Sequence, residues 1–157
     1  MTNWRVVTLT QPYATLAMLG LKTIETRSRR LSYRGPLLIH AAAGLGPVGG
    51  VLGLGAQCSV EPFWGVLHAA DYMRSDMLPR GAIVAVAELV SVIPTEILNR
   101  QGSWIIDTDT WSMTDQERAF GDYTPGRYAW LLADVQPLAT PIPTKGALGL
   151  WNWEGSL

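Results

Sequence analysis

The sequence predicts an α+β fold: a small mixed β-barrel with two to four short helices. Several β-branched runs are long enough to form strands, whereas only two or three segments have the composition of a helix. Glycine and proline separate these runs, which is typical of short turns between strands. The runs do not alternate regularly between strand and helix, and this argues against a layered parallel sheet.

The chain begins with a predicted strand and a short helix. Residues 4–10 (WRVVTLT) are rich in β-branched side chains and predict a strand. Residues 11–20 (QPYATLAMLG) contain helix formers and predict a helix of about two turns. Pro12 stands near a first helical position, and Gly20 stands where a C-terminal cap is expected.

Two further strands follow this helix. Residues 22–27 (KTIETR) alternate in character, which places Thr23, Glu25 and Arg27 on one face of a strand. The turn SYRG then leads to residues 36–43 (PLLIHAAA), which predict an apolar strand.

The middle of the chain starts with a glycine-rich stretch. Residues 44–56 contain six glycines but no Gly-Lys-Ser/Thr sequence, so they predict a mobile connection and not a phosphate-binding loop. Residues 60–73 predict a helix. Residues 81–94 (GAIVAVAELVSVIP) carry the strongest strand pattern in the chain.

The last third mixes polar turns with one long apolar run. Within the polar residues 98–126, Thr114 and Glu117 form a capping-box pattern and predict a short helix. Residues 127–143 predict a long strand or a pair of strands, and residues 144–155 predict a loop.

Length and composition predict a single domain over residues 1–157 that needs neither a metal nor a disulfide. The single cysteine, Cys58, excludes an intrachain disulfide, and no Cys/His spacing is typical of a zinc site, so we expect no metal and no cofactor. No apolar run has the length of a signal peptide or a membrane span, so we expect a soluble, cytoplasmic protein that does not enter a membrane. The sequence leaves the oligomeric state open.

Charge argues against general binding to duplex nucleic acid, because the net charge of −1 provides no broad positive field. A local basic cluster is nevertheless present. Arg27, Arg29, Arg30 and Arg34 supply a third of all lysines and arginines, and Tyr33 lies among them. The cluster is either a solvated loop or a surface that meets phosphates.

Three blocks of the sequence together resemble the ASCH domain, a branch of the PUA-like superfamily. The blocks are LTQPYATLAMLGLKTIETRS, YRGPLLIHAA, and GRYAWLLADVQPL followed by KGALGLWNWE. The first carries a Gln-Pro-aromatic start, a Gly-x-Lys and a Glu-x-Arg in the order of the family pattern. The resemblance implies a small β-barrel with a cleft that receives RNA, a nucleotide or a modified nucleoside. It also implies insertions at residues 44–80 and 98–123.

The resemblance implies a cleft lined by the GxKxxExR block. The candidate ligand-binding residues are Gln11, Tyr13, Lys22, Thr23, Glu25, Arg27, Arg34, His40 and Trp151. A carboxylate can accept hydrogen bonds from a base edge, an arginine can bind phosphate, and an aromatic ring can stack on a base. The expected partner is therefore single-stranded RNA or a modified nucleoside or nucleotide. The alternative is that Glu25 and Arg27 form an ion pair on a solvated strand while Lys22 extends along the surface.

We predict that Gln11, Lys22, Glu25 and Arg27 converge on this cleft. Strict alternation would put Lys22 and Glu25 on opposite faces of the strand, so their convergence requires a bulge near Thr23.

Two other candidates have a structural alternative. His40 ends an apolar run, where a histidine is more often a hydrogen-bonded core residue than a catalyst. Trp151 lies in the predicted glycine-rich loop, where it is either an anchor or a stacking surface for a base.

An enzymatic function is the second hypothesis. Some family members with a similar block hydrolyse N4-acylcytidine with a lysine, a threonine three residues later and a distant glutamate. Lys22 matches the lysine and Glu117 is the candidate for the glutamate, but Glu25 occupies the position of the threonine nucleophile. Thr23 and Thr26 are the nearest hydroxyls, and neither has the matching position, which argues against amidohydrolysis.

Ribonuclease activity is a second form of the enzyme hypothesis, with Lys22, Glu25 and His40 as acid, base and charge stabiliser. A protein-interaction domain without a nucleic-acid ligand is the third hypothesis. A binding domain for RNA or a modified nucleoside remains the leading one.

Overall fold

The computed structural model describes residues 1–45 and 53–157. In these residues it contains eight strands: β1 (Thr2–Leu9), β2 (Ile24–Arg27), β3 (Gly35–Ala41), β4 (Ala82–Pro94), β5 (Ser103–Ile106), β6 (Asp109–Ser112), β7 (Tyr128–Pro143) and β8 (Leu150–Gly155). The helices are α1 (Tyr13–Met18), α2 (Leu54–Cys58), α3 (Phe63–Ala69), α4 (Thr95–Gln101) and α5 (Asp115–Ala119), with a 3₁₀ turn at Ser75–Met77. Most of the predicted glycine-rich connection, residues 46–52, lies outside the described residues.

Six strands form one sheet in the order β2-β7-β4-β3-β1-β8. The pair β1–β3 is parallel, and the other four pairs are antiparallel. The short strands β5 and β6 form a separate hairpin. The predicted α+β class is therefore confirmed, whereas a closed barrel is not, because the edge strands β2 and β8 have no recorded pairing with each other in the described parts of the chain.

The described residues contain five α-helices, more than the two to four that the sequence predicts. The three predicted helical segments contain α1, α3 and α5. Helix α4 is not predicted by the sequence, because it starts directly after the strand pattern of residues 81–94 and its second half falls in the polar residues 98–126; it stops at Gly102, whose φ is +77°. Helix α2 was missed because it begins in the glycine-rich stretch, yet it buries Leu54. None of the helices that the structure describes is long and apolar enough to cross a membrane.

The predicted loop at residues 144–155 is wrong for its second half. Residues 150–155 form β8, which pairs antiparallel with β1 so that Trp4 faces Trp153 and Val6 faces Trp151. Glycine and asparagine in this segment suggest a loop, but the alternating tryptophans pack on an apolar cluster that includes Val6. Tertiary pairing therefore overrides the local turn signal.

Helix α1 lies between two apolar clusters and so positions the chain around the start of β2. Its buried Ala14 and Ala17 pack with residues of β1, β3, β4 and β7. Leu16 belongs to a second cluster with Phe63 of α3 and Phe120, which follows α5. Because both clusters hold α1, the residues immediately before and after it have fixed positions.

Gly146 lies where a side chain does not fit. An added Cβ would come within 2.6 Å of the ring of His40 and 2.9 Å of the Thr8 hydroxyl oxygen. We expect Gly146→Ala to lower the free energy of unfolding by about 1 to 3 kcal/mol, because the new methyl must displace buried groups. Thermal melting measures this loss, with Gly44→Ala as the control, since a Cβ at Gly44 meets nothing within 4 Å. Equal melting temperatures for Gly146→Ala and the unmodified protein would contradict the expectation.

Candidate functional site

An open cleft of about 400 Å³ lies beside the edge strand β2. The end of β1, the start of α1 and the segment after α5 complete its walls. Its charged lining residues are Glu25, Arg27, Asp122 and Arg127, and its aromatic ones are Tyr13 and Phe120. The cleft therefore combines hydrogen-bonding groups of both signs with flat apolar surfaces.

Glu25 is the centre of the ionic contacts in this cleft. Its Oε1 lies 3.2 Å from Lys22 Nζ and accepts from the Thr26 backbone N–H at 3.1 Å. Its Oε2 lies 3.3 Å from Arg27 Nη2. Burial alone would raise the pKa of Glu25, but the positive charges of Lys22 and Arg27 outweigh this effect and lower it. The carboxylate thus stays ionised in a shielded position.

Lys22 reaches Glu25 without the predicted bulge. Strand β2 begins at Ile24 and pairs with β7 in an unbroken register, so Lys22 lies before the strand and its side chain turns back over it. Its Nζ also donates to the carbonyl of Ile24. Only 1% of the Lys22 side chain is exposed, against 13% for Glu25. The alternative of a surface ion pair with an extended lysine does not describe this geometry.

Glu117 approaches the same segment from helix α5. Its carboxylate accepts from the backbone N–H groups of Ile24 at 3.1 Å and Thr23 at 3.2 Å, and from the Thr23 hydroxyl at 3.3 Å. Burial raises the pKa of Glu117, although Lys22 and the two N–H groups partly oppose the shift. One half of the predicted capping box is present, since Thr114 Oγ1 accepts from the Glu117 N–H at 3.0 Å. The reciprocal bond is not formed, because the Thr114 N–H donates to the Ser112 carbonyl. Glu117 thereby anchors the backbone that carries Lys22 and Glu25.

Two arginines connect the walls of the cleft. Arg27 Nη2 donates to the Thr8 carbonyl at 2.8 Å, and its guanidinium lies 5.8 Å from the centre of the Trp130 ring. Arg127 binds Asp122 through its Nε at 3.4 Å from the carboxylate and donates to the Thr26 carbonyl at 3.2 Å. Asp122 and Arg127 were not predicted, because they lie over 90 residues from the GxKxxExR block and no local motif marks them.

Gln11 does not line the cleft, contrary to the predicted convergence. Its Nε2 donates to the Pro79 carbonyl at 2.7 Å, and its Oε1 accepts from the Thr15 N–H at 3.0 Å. The side chain therefore satisfies an otherwise unpaired N–H at the start of α1. Tyr13 does face the cleft, with its ring edge-to-face against Phe63 at 5.7 Å. Burial, and secondarily the negative charge of Glu25, raise the pKa of Tyr13.

His40 is a buried residue outside the cleft. Its Nε2 donates to the Thr144 carbonyl at 2.8 Å, so in the neutral ring Nδ1 accepts from the Thr8 hydroxyl at 3.2 Å. Trp151 donates to the same hydroxyl oxygen at 3.0 Å. The predicted group of Lys22, Glu25 and His40 is not assembled, since both His40 nitrogens are bound elsewhere.

Three remaining candidates lie away from the cleft lining. Arg34 is exposed and donates to the carbonyls of Leu31 and Tyr33, both at 2.7 Å. Thr23 contacts Glu117 instead of facing the cleft. Lys22 is buried beside Glu25 and does not itself line the cleft. Of the nine candidate ligand-binding residues, Tyr13, Glu25 and Arg27 line the cleft.

Comparisons with known proteins give a matching family model and similar solved structures. The model of the ASCH domain family matches residues 7–142. Three similar solved structures, all 19% identical and covering 88% of this chain, are of ASCH from Zymomonas mobilis. They are a tyrosine-to-phenylalanine mutant (TM-score 0.46, 74% of its chain covered), ASCH itself (0.45, 72%) and a serine-to-alanine mutant (0.43, 72%). No curated protein matches this sequence significantly.

Proposed function

This chain belongs to the ASCH domain family, a PUA-like family associated with RNA binding, and from that premise we propose that the cleft around Glu25 binds RNA or a modified nucleoside. The observation that carries the proposal is the Glu25 carboxylate, kept ionised by Lys22 and Arg27 in the wall of an open cleft. A shielded carboxylate of this kind is well suited to accept hydrogen bonds from a base edge.

The hydrogen bonds already made by Glu25 leave room for one more donor. An ionised carboxylate offers about four acceptor positions, two on each oxygen. Oε1 accepts from Lys22 and Thr26, and Oε2 accepts from Arg27, so within residues 1–45 and 53–157 one position on Oε2 has no donor and can accept from a ligand. An amino or imino N–H of a base has the matching chemistry. Arg27 and Arg127 can then bind a carbonyl or phosphate oxygen, and Tyr13 offers a ring for stacking.

We expect Glu25→Gln to weaken ligand binding by about 1 to 3 kcal/mol, because an amide at this position places a donor where the ligand also donates. The four common nucleosides, N4-acetylcytidine and RNA homohexanucleotides are titrated calorimetrically into both proteins. The substitution also removes the anion beside Lys22, so we expect a lower melting temperature and titrate well below it. Glu88→Gln is the matched control, since Glu88 lies on β4 and does not line the cleft. Unchanged affinity in Glu25→Gln would remove the cleft as the binding site.

Hydrolysis of a modified cytidine is a second candidate, favoured by one contact. The Thr23 hydroxyl donates to Glu117, whose raised pKa suits a general base, and a hydroxyl bonded to a base is the arrangement of an activated nucleophile. Release of acetate from N4-acetylcytidine that disappears in Thr23→Val would support this function. Binding ranks first because Thr23 does not line the cleft. A protein-interaction domain, the third hypothesis, predicts neither nucleoside nor RNA binding.

We also propose that residues 1–157 form one domain, that the six-stranded sheet is the counterpart of the family's barrel, and that residues 44–80 and 98–123 are insertions. Helices α2 and α3 fall in the first insertion, and the β5–β6 hairpin and α5 fall in the second. On this proposal an insertion supplies Glu117, which anchors the start of β2.

A further inference from the structure

A second pocket adjoins the cleft on the other side of Arg27. Its volume is about 500 Å³, and it lies between the segment after β2 and the start of β8. Arg27 lines both cavities, with its guanidinium bound to Glu25 in the cleft and lying over the ring of Trp130, which lines the second pocket. A ligand long enough to pass Arg27 can therefore occupy both at once.

The rim of the second pocket carries unneutralised positive charge. Arg29 and Arg30 are exposed, and within residues 1–45 and 53–157 neither guanidinium has a carboxylate partner or a recorded hydrogen bond. By contrast, Arg27 and Arg127 are both paired. A planar guanidinium without a protein acceptor is well suited to bind a phosphate through two parallel hydrogen bonds.

One side of the second pocket is apolar. Leu31 and Leu150 are half-buried, Trp130 lies behind them, and the side chain of Leu148 is 98% exposed at the mouth. Leu148 offers an apolar surface for the flat face of a base. The neighbouring Arg29 and Arg30 offer positive charge for a phosphate. Proteins that bind single-stranded nucleic acid combine cations for the backbone with side chains against which the bases pack, and Leu148 offers an aliphatic face for this contact in place of the usual aromatic ring.

We propose that the second pocket is a subsite for the nucleotide next to the one in the cleft, so that the ligand is a single-stranded RNA oligonucleotide and not a free nucleoside. This inference rests on the proposed function of the cleft. Glu25 and Arg27 contact one base, Arg29 and Arg30 bind the phosphate of its neighbour, and Leu148 packs against that neighbour's base.

The test compares nucleosides with RNA homohexanucleotides of the same base, titrated into the full chain. We expect the hexanucleotide to bind at least about tenfold more tightly than the nucleoside. The double substitution Arg29→Ala/Arg30→Ala should weaken the hexanucleotide about tenfold, leave the nucleoside unchanged, and reduce the slope of log affinity against log salt by about 1.4, for two lost phosphate contacts. Both arginines are exposed, so the variant is expected to fold normally.

Two further variants separate the pocket from general charge. Leu148→Ser should weaken the hexanucleotide several-fold and leave the nucleoside unchanged. Arg74→Ala/Arg100→Ala removes the same positive charge from exposed positions that line neither cavity, and it should leave both affinities and the salt slope unchanged.

The possible failures are distinguishable. Equal affinities for nucleoside and hexanucleotide, or an Arg29→Ala/Arg30→Ala variant that loses affinity for both ligands equally, would overturn the second subsite while the function of the cleft stands. Binding of neither ligand to the unmodified protein would overturn the proposed function and the subsite together.

Discussion

Replacing Lys22 with methionine is expected to lower the free energy of unfolding by about 3 kcal/mol. The side chain is 1% exposed, and its ammonium binds Glu25 and the carbonyl of Ile24. Methionine fills similar volume but leaves the Glu25 carboxylate with one cation instead of two. The expected loss is at the lower end of the range for a broken buried ion pair, because Arg27 still compensates part of the charge.

Urea unfolding of Lys22→Met measures this loss, and Lys145→Met is the matched control. Lys145 is the only other lysine of the sequence and is exposed, so its substitution should change stability by less than about 0.5 kcal/mol. Adding Glu25→Gln to Lys22→Met removes the poorly compensated charge and should recover part of the loss, as expected for contacting residues. Stability unaltered by Lys22→Met would show that the ion pair does not hold this segment.

The second large effect is expected for Glu117→Ala, which should cost about 2 to 4 kcal/mol of unfolding free energy. The substitution leaves the N–H groups of Thr23 and Ile24 without their acceptor, and each unpaired buried donor costs about 1 to 3 kcal/mol. Affinity for the hexanucleotide should fall as well, because this backbone carries Lys22 and Glu25 into position.

The control for Glu117→Ala is Asp115→Ala, which removes an exposed carboxylate from the same helical turn and should cost no more than about 1 kcal/mol. Urea unfolding of both variants decides the comparison. Equal losses for the two variants would mean that Glu117 acts only through the charge of the helix and not as an acceptor for β2.

The pH dependence of the Glu117→Ala loss has a defined sign. Because burial raises the pKa of Glu117 in the folded protein, its contribution to stability is full below the unfolded pKa and declines as pH rises through the folded pKa. The loss of unfolding free energy caused by Glu117→Ala should therefore be smaller at about pH 7 than at about pH 4. Glu25 has the opposite sign, since its pKa is lowered, and its contribution is lost as pH falls through the folded value.

Local patterns in the sequence determined several elements correctly. The alternation of KTIETR predicted that Glu25 and Arg27 share a face, and the structure pairs their side chains. The Thr114 and Glu117 spacing predicted the cap of α5, which is present. These features depend on strand periodicity and on contacts between residues close in sequence, so a single sequence contains the information for them.

Long-range packing decided the rest. Only the tertiary structure turned Gln11 toward Pro79, made β8 from a segment with loop composition, and brought Glu117 to the backbone of Thr23. Each of these contacts joins residues at least 68 positions apart, and no periodicity or spacing encodes which distant groups meet.

The sequence by itself determined the family, the α+β class and the residues of the GxKxxExR block, because these are properties of local order and composition. Only the tertiary structure decided that Lys22 is a buried partner of Glu25, that Asp122 and Arg127 close the cleft, and that Arg27 separates it from a second pocket. The physical reason is that burial and charge compensation depend on the whole packed chain: the low exposure of Lys22 and the lowered pKa of Glu25 arise from groups that the fold places around them.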